Sequence, residues 1–118
     1  MSKVNLADKL TLVQEHWSPK TVGEMNDYEL KVVKVQGEFT WHLHDETDEF
    51  FLVIEGRLTI RLRDREVVLE PGELFVVRKG VEHCPVQRGR DADPAHRAKG
   101  CVNTGDAGGH LTATAERI

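Results

Sequence analysis

Four side chains carry the spacing of a metal site: His42, His44, Glu49 and His83. His42 and His44 are separated by one residue. On a strand, residues i and i+2 point the same way, about 6.6 Å apart along the chain, so two imidazoles could converge on one ion. Glu49 follows the turn Asp45-Glu46-Thr47-Asp48 and opens the next apolar run, where a carboxylate could supply a third ligand. His83 follows a second turn, Lys79-Gly80-Val81-Glu82, and could add an imidazole from another strand. Three nitrogens and one oxygen suit a divalent transition metal, whether Zn, Mn, Fe, Ni or Cu. Taken singly, each residue has an ordinary reading, the histidines as strand or turn residues and Glu49 as one acid in a polar turn. Only their joint spacing singles them out.

Other reactive residues read as structural. Trp41 has the parity of the strand's other face and fills core or interface. Cys84 adjoins His83 but alternates away from it, as a buried inert thiol does. His16, His96 and His110 have no partner spacing and read as solvated or locally bonded. Arg57, Arg61, Arg63 and Arg65 form a cationic stripe that reads as a solvated strand face.

The elements that must position the four candidates show a period of two. Leu30, Val32 and Val35 are interleaved with Glu29, Lys31 and Lys34. Phe39, Trp41 and Leu43 alternate with Thr40, His42 and His44, and Leu58, Ile60 and Leu62 with Arg57, Thr59, Arg61 and Arg63. Val67 to Leu69 and Leu74 to Val77 are further short β-rich runs. Turn signals lie between them at Gly37, Asp45 to Asp48, Gly56, Asp64, Pro71-Gly72 and Lys79-Gly80. Short strands with frequent turns and little helix predict an all-β sandwich or barrel. Residues 1–20 form an N-terminal arm: Leu6, Leu10 and Val13 have helical spacing, with an extended arm equally open. Phe50, Leu52 and Ile54 alternate with Glu49, Phe51 and Val53, so this strand is apolar on both faces. A barrel has one interior, so a partner subunit or the arm must cover the outside. The partner, in a homodimer, is the preferred cover.

Gly37, His42, His44, Glu49 and Gly56 resemble the first cupin motif. Its second half matches, with four residues between His44 and Glu49 and six between Glu49 and Gly56. The gap from Gly37 to His42 is one residue shorter than usual. Gly72, Gly80 and His83 resemble the second motif, with Arg78 where Pro is usual and Gln87 where Asn is usual. The Arg78 departure puts in doubt the turn that presents His83. The resemblance covers roughly residues 28–87, the barrel core of a single domain spanning 1–118, and Asn103-Thr104-Gly105-Asp106 resembles the tail of one group of small cupins. The chain is thus similar to cupins of the conserved-barrel cupin 2 type, including uncharacterised mannose-6-phosphate-isomerase-like ones. The resemblance implies a double-stranded β-helix (jelly roll) with His42, His44, Glu49 and His83 pointing inward onto one divalent ion, and with Thr40, Phe51 and Val53 lining the pocket.

One stretch does not fit. A jelly roll needs a returning apolar strand after His83, yet residues 88–101 show no alternation and contain Pro94. Shifting the back-translated codons of Ala92 to Gly100 by one base permits Arg-Ile-Leu-Leu-Ile-Glu-Pro-Lys-Gly, a plausible apolar strand. Compensating frame shifts would therefore scramble one core strand. The alternative is a long polar excursion, with Cys101-Val102 as a short strand.

The 118 residues suit one core. A net charge of −4 gives no basic patch for nucleic acid. No apolar run approaches the roughly 20 residues of a membrane span, and residues 1–5 have no signal core. Two cysteines make no disulfide framework, so a reducing cytoplasm is expected. Two functions are expected: a metalloenzyme acting on a small polar metabolite, which the cupin resemblance implies could be a sugar or a dioxygenase substrate, or a non-catalytic metal-dependent small-molecule binding module. A structural barrel with a vestigial site is the weaker third. No second acid–base residue inside the barrel can be named, because the His and Glu candidates are all used as ligands.

Overall fold

The structure is a computed structural model and describes residues 1–88, 100–106 and 116–118. A short helix α1 (Leu6–Leu10) precedes the strands β1 (Lys20–Met25), β2 (Tyr28–Lys34), β3 (Gly37–Glu38), β4 (Glu49–Val53), β5 (Leu58–Leu62), β6 (Glu66–Leu69), β7 (Leu74–Val77), β8 (His83–Gln87), β9 (Gly100–Asp106) and β10 (Glu116–Arg117). They form two sheets, ordered β10-β1-β2-β9-β4-β7 and β3-β8-β5-β6. The pairings are antiparallel except that of β1 with β10. This is the all-β fold that the alternating strands and turns predict, in the jelly-roll form that the resemblance implies.

The core lies between the sheets. Val33, Val35, Phe51, Val53 and Val77 from the larger sheet meet Leu58, Ile60 and Leu69 from the smaller. A second cluster lies on the outer face of the larger sheet. There Leu10, Val13 and Val32 pack with Leu6, Val22, Phe50, Leu52, Ile54 and Ile118. The arm is therefore the cover that the two-faced apolar strand requires. Leu10 is 5% and Val13 2% exposed, each burial stabilising by about 1.5–3 kcal/mol. The face expected to meet a partner subunit is occupied from within the chain.

Two expectations about elements are corrected. The run from Phe39 to His44 does not form a regular strand: β3 ends at Glu38, and His42 makes an isolated antiparallel bridge with His83. A strand needs a continuous ladder of partners, and only this one bridge is made. The second correction concerns the returning strand, which is β9. It pairs with β2 from Tyr28↔Asp106 to Lys34↔Gly100 and with β4 from Phe50↔Thr104 to Val53↔Cys101. Cys101-Val102 thus belongs to a longer strand, and the place between β2 and β4 is filled. Gly100-Cys101-Val102-Asn103-Thr104-Gly105-Asp106 has no useful alternation of its own. Two flanking ladders impose the strand, as context routinely overrides β-propensity. The frame-shift reading falls on residues 92–100, which lie outside the described residues except for Gly100.

Candidate metal centre

Each of the four candidate side chains is placed by a different piece of backbone. Glu49 opens β4, with Phe51 and Val53 on the same inward face. His42 is fixed by reciprocal main-chain bonds, its N–H donating to the His83 carbonyl at 3.0 Å and accepting the His83 N–H at 2.9 Å through its own carbonyl. The His44 carbonyl accepts from the Gly80 N–H at 2.7 Å. Gly80 takes φ +79, in the left-handed region open to glycine, and so completes the turn before His83. Arg78, standing where the motif has Pro, bonds the Asp48 carboxylate at 3.1 Å, and the Lys79 N–H bonds it at 2.8 Å. A side-chain anchor thus ties the turn before His83 to the loop between His44 and Glu49. Among the causes that hold Asp48 below the usual carboxylate range, the Lys79 N–H is the largest.

The ring nitrogens then face one another. His42 Nδ1 donates to the Thr40 carbonyl at 2.8 Å, and His83 Nδ1 to the Val81 carbonyl at 2.9 Å. A carbonyl can only accept, so each Nδ1 carries the proton. The Nε2 atoms are left as potential ligands, the arrangement by which outer hydrogen bonds orient metal-binding histidines. Glu49 Oε1 lies 2.8 Å from His83 Nε2, 3.3 Å from His44 Nε2 and 3.9 Å from His42 Nε2. Among the described residues, His44 Nε2 is buried without a hydrogen-bond partner: at 3.3 Å it is near the carboxylate but misaligned for a bond. The four ligand atoms lie within 4.8 Å of one another. Tetrahedral zinc with bonds of about 2.1 Å would hold its ligands about 3.4 Å apart, so small rotamer shifts would close the set.

Burial alone would raise the Glu49 carboxyl. The three facing histidines outweigh it and hold Glu49 well below its usual range. His42 is raised, mainly by Glu49, with the Thr40 carbonyl adding to the effect and desolvation opposing it. At 3.9 Å the His42–Glu49 contact is better described as a close charge than as a hydrogen bond. Nearly buried carboxylate and imidazole lone pairs facing one centre require a cation there, either a proton or a metal.

The remaining expected residues are distributed as follows. Phe51 is 4% exposed, with its ring centroid 6.2 Å from that of His83, and Val53 is buried beneath it. Thr40 is exposed and contributes its carbonyl to His42. Trp41 lies outside under Arg63, whose guanidinium is 3.8 Å from the ring centroid. Three of the four arginines of the stripe are paired, Arg57 with Glu70, Arg61 with Glu38 and Arg63 with Glu82, and Arg65 lies over the Phe75 ring. Cys84 is buried and free, its thiol pushed up by desolvation and by Glu38. His16 is exposed, and His96 and His110 lie outside the described residues.

The sequence reading missed two groups. Lys31 shares parity with Val33 and Val35, which lie in the inner core, whereas Val32 lies beneath the arm. Lys31 is therefore on the barrel's inner face, 5% exposed, with Glu29 on the same face. The apparent polar face of β2 is the inward one. The signal was present in the Val33-x-Val35 pair, whose spacing continues Glu29-x-Lys31.

Residues 30–96 match the family model described as "Cupin domain". A cupin-2 domain containing protein from Shewanella frigidimarina superposes with a TM-score of 0.77 at 44% identity, covering 87% of this chain and 93% of that one. The uncharacterised YdbB of Bacillus subtilis is 35% identical over 85 residues, which is 70% of this chain and 75% of that protein. The tetracenomycin polyketide synthase protein TcmJ of Streptomyces glaucescens is 33% identical over 73 residues, 61% of this chain and about half (49%) of TcmJ. With the family model matched across both motif regions and a solved relative of nearly equal length, the chain belongs to the cupin domain family.

Proposed function

We propose that this cupin holds one divalent transition metal on His42, His44, Glu49 and His83, and that the ion with the inner face of the barrel forms a site for a small organic molecule. The observation that carries the reading is His44 Nε2, a buried nitrogen without a hydrogen-bond partner that faces two other Nε2 atoms and a carboxylate. Four protein ligands leave positions open on a five- or six-coordinate ion. A bound metal would supply Lewis-acid or redox chemistry there, while the protein orients its ligands through the Thr40 and Val81 carbonyls. We favour a metalloenzyme, because the interior also holds a charged pair, Lys31 and Glu29. A relative named as a polyketide synthase protein makes an oxygen-rich organic substrate the favoured class. A sugar phosphate, suggested by the resemblance to mannose-6-phosphate-isomerase-like cupins, is the second class to assay. The alternative function is a non-catalytic binding module. Oxygen uptake or substrate turnover by the iron-loaded protein separates the two.

Elemental mass spectrometry of untagged protein tests the site. About one equivalent of a single transition metal is expected for a four-ligand site, lost in His42→Ala/His83→Ala. Absence of metal after reconstitution with Mn, Fe, Ni, Cu and Zn would overturn the reading.

We also propose a cytoplasmic setting, from the reduced, buried Cys84. No helix among the described residues is long and apolar enough to cross a membrane.

A further inference from the structure

The barrel interior contains a second polar group that the metal cluster does not use. Lys31 lies in β2, 5% exposed. Its ammonium approaches Glu29 Oε2 at 3.7 Å, longer than a hydrogen bond, and the Thr21 hydroxyl donates to the same oxygen at 3.3 Å. The strand register places this group relative to the cluster. Lys31 is opposite Asn103 on β9, and Asn103 is opposite Phe51 on β4. Phe51 is the residue whose ring meets His83. One step along, Glu29 is opposite Gly105, and continuing Phe50↔Thr104 by one residue puts Gly105 opposite Glu49. Glu29 and Glu49 therefore share one inner row, separated by a strand whose residue in that row is glycine. Two strand spacings make that separation about 9.6 Å. The Lys31 ammonium leans along β2 toward this row, as its contact with Glu29 shows.

A lysine in an apolar interior is costly unless paired. Among the described residues, Lys31 has one carboxylate contact, at 3.7 Å, rather than a bonded cage. We propose that Lys31 holds an anionic oxygen of the ligand, whose other polar end meets the His42, His44, Glu49 and His83 cluster. The ligand is then a small carboxylate carrying a second oxygen function a few ångströms away. Glu29 keeps the ammonium in place when no ligand is bound and competes with the ligand for it. The proposal rests on the reading of the cluster as a metal site.

Calorimetric titration of the zinc-loaded protein with malonate and succinate, against neutral malonamide, tests it. A charge-assisted bond of about 1.5–3 kcal/mol corresponds to a roughly ten- to hundredfold loss of dicarboxylate affinity in Lys31→Met. Lys31→Arg should keep most of the affinity, and Glu29→Gln should raise it, all with zinc content unchanged. Malonamide should not bind. Unchanged dicarboxylate affinity in folded, zinc-loaded Lys31→Met, or equal binding of malonamide, would leave Lys31 a purely structural partner of Glu29. If Lys31→Met does not fold, the opposite shifts expected from Lys31→Gln and Glu29→Gln decide the matter. Should the protein take up no zinc, the same titration on the metal-free protein separates the two ideas. Lys31-dependent dicarboxylate binding there would uphold the anion site while sinking the metal site, and its absence would sink both.

Discussion

Glu49 is the hub of the cluster, and its carboxyl together with His42 shapes the pH behaviour of the metal-free protein. Its carboxyl is held below the ordinary 4.5, so its contribution to stability is present above that value and is lost as pH falls through the lowered one. His42 is raised above 6.5, so its contribution is complete below 6.5 and is lost as pH rises through the raised value. Melting of the metal-free protein should therefore be flat between these two ordinary values and decline on either side. A melting temperature that rises steadily from pH 6 to 9 would contradict this. Metal must displace the proton on His42, so zinc affinity should begin to fall with pH while still above 6.5. Competition against a chromophoric chelator across that range would show it.

At the scale of elements, the arm and the turn before His83 do most of the positioning. A five-residue helix such as α1 is too short to persist alone. It survives because Asn5 caps it, accepting the Asp8 N–H at 3.0 Å, and because Leu10 is buried on the outer sheet face. Leu10→Ala should cost about 2–3 kcal/mol and expose Phe50 and Leu52. Chemical denaturation and dye binding would register both effects. A neutral result would mean that the arm is only loosely seated. The loop from Phe39 to Asp48 brings His42 and His44 to the cluster without forming a regular strand. The His42–His83 bridge, the Phe39 N–H bond to the Pro85 carbonyl at 3.0 Å, the Gly80 N–H bond to the His44 carbonyl and the Asp48 anchor hold it.

For the whole molecule, the arm removes the original reason for a second copy on the outer sheet face. A homodimer remains our proposal on different grounds. β7 and β6 end the two sheets, and they expose Leu74 at 57% and Val68 at 50%. Apolar residues on edge strands invite pairing. Sedimentation should show a dimer that Leu74→Lys/Val68→Lys converts to a monomer, whereas a monomeric wild-type chain would end the proposal.

The four cluster residues, the turn glycines and most strand positions were legible in the sequence because they depend on local spacing: a period of two, left-handed turns and a double motif. Short range also explains why Trp41 and Cys84 could be placed away from the site by parity. Three features depended on the tertiary structure. The short alternation Glu29 to Val32 does not by itself say which face of β2 is inward; Val33 and Val35 in the inner core and Val32 beneath the arm put Lys31 inside the barrel. Beyond Cys101-Val102, Gly100 to Asp106 carries no alternation that marks a strand, and the full length of β9 comes from the ladders that β2 and β4 offer it. The cover of the outer face was a choice between arm and partner until Leu10 and Val13 were found there. Local periodicity thus determined which residues could do chemistry. Contacts between segments far apart in the chain decided which of them share the interior with the His42, His44, Glu49 and His83 cluster.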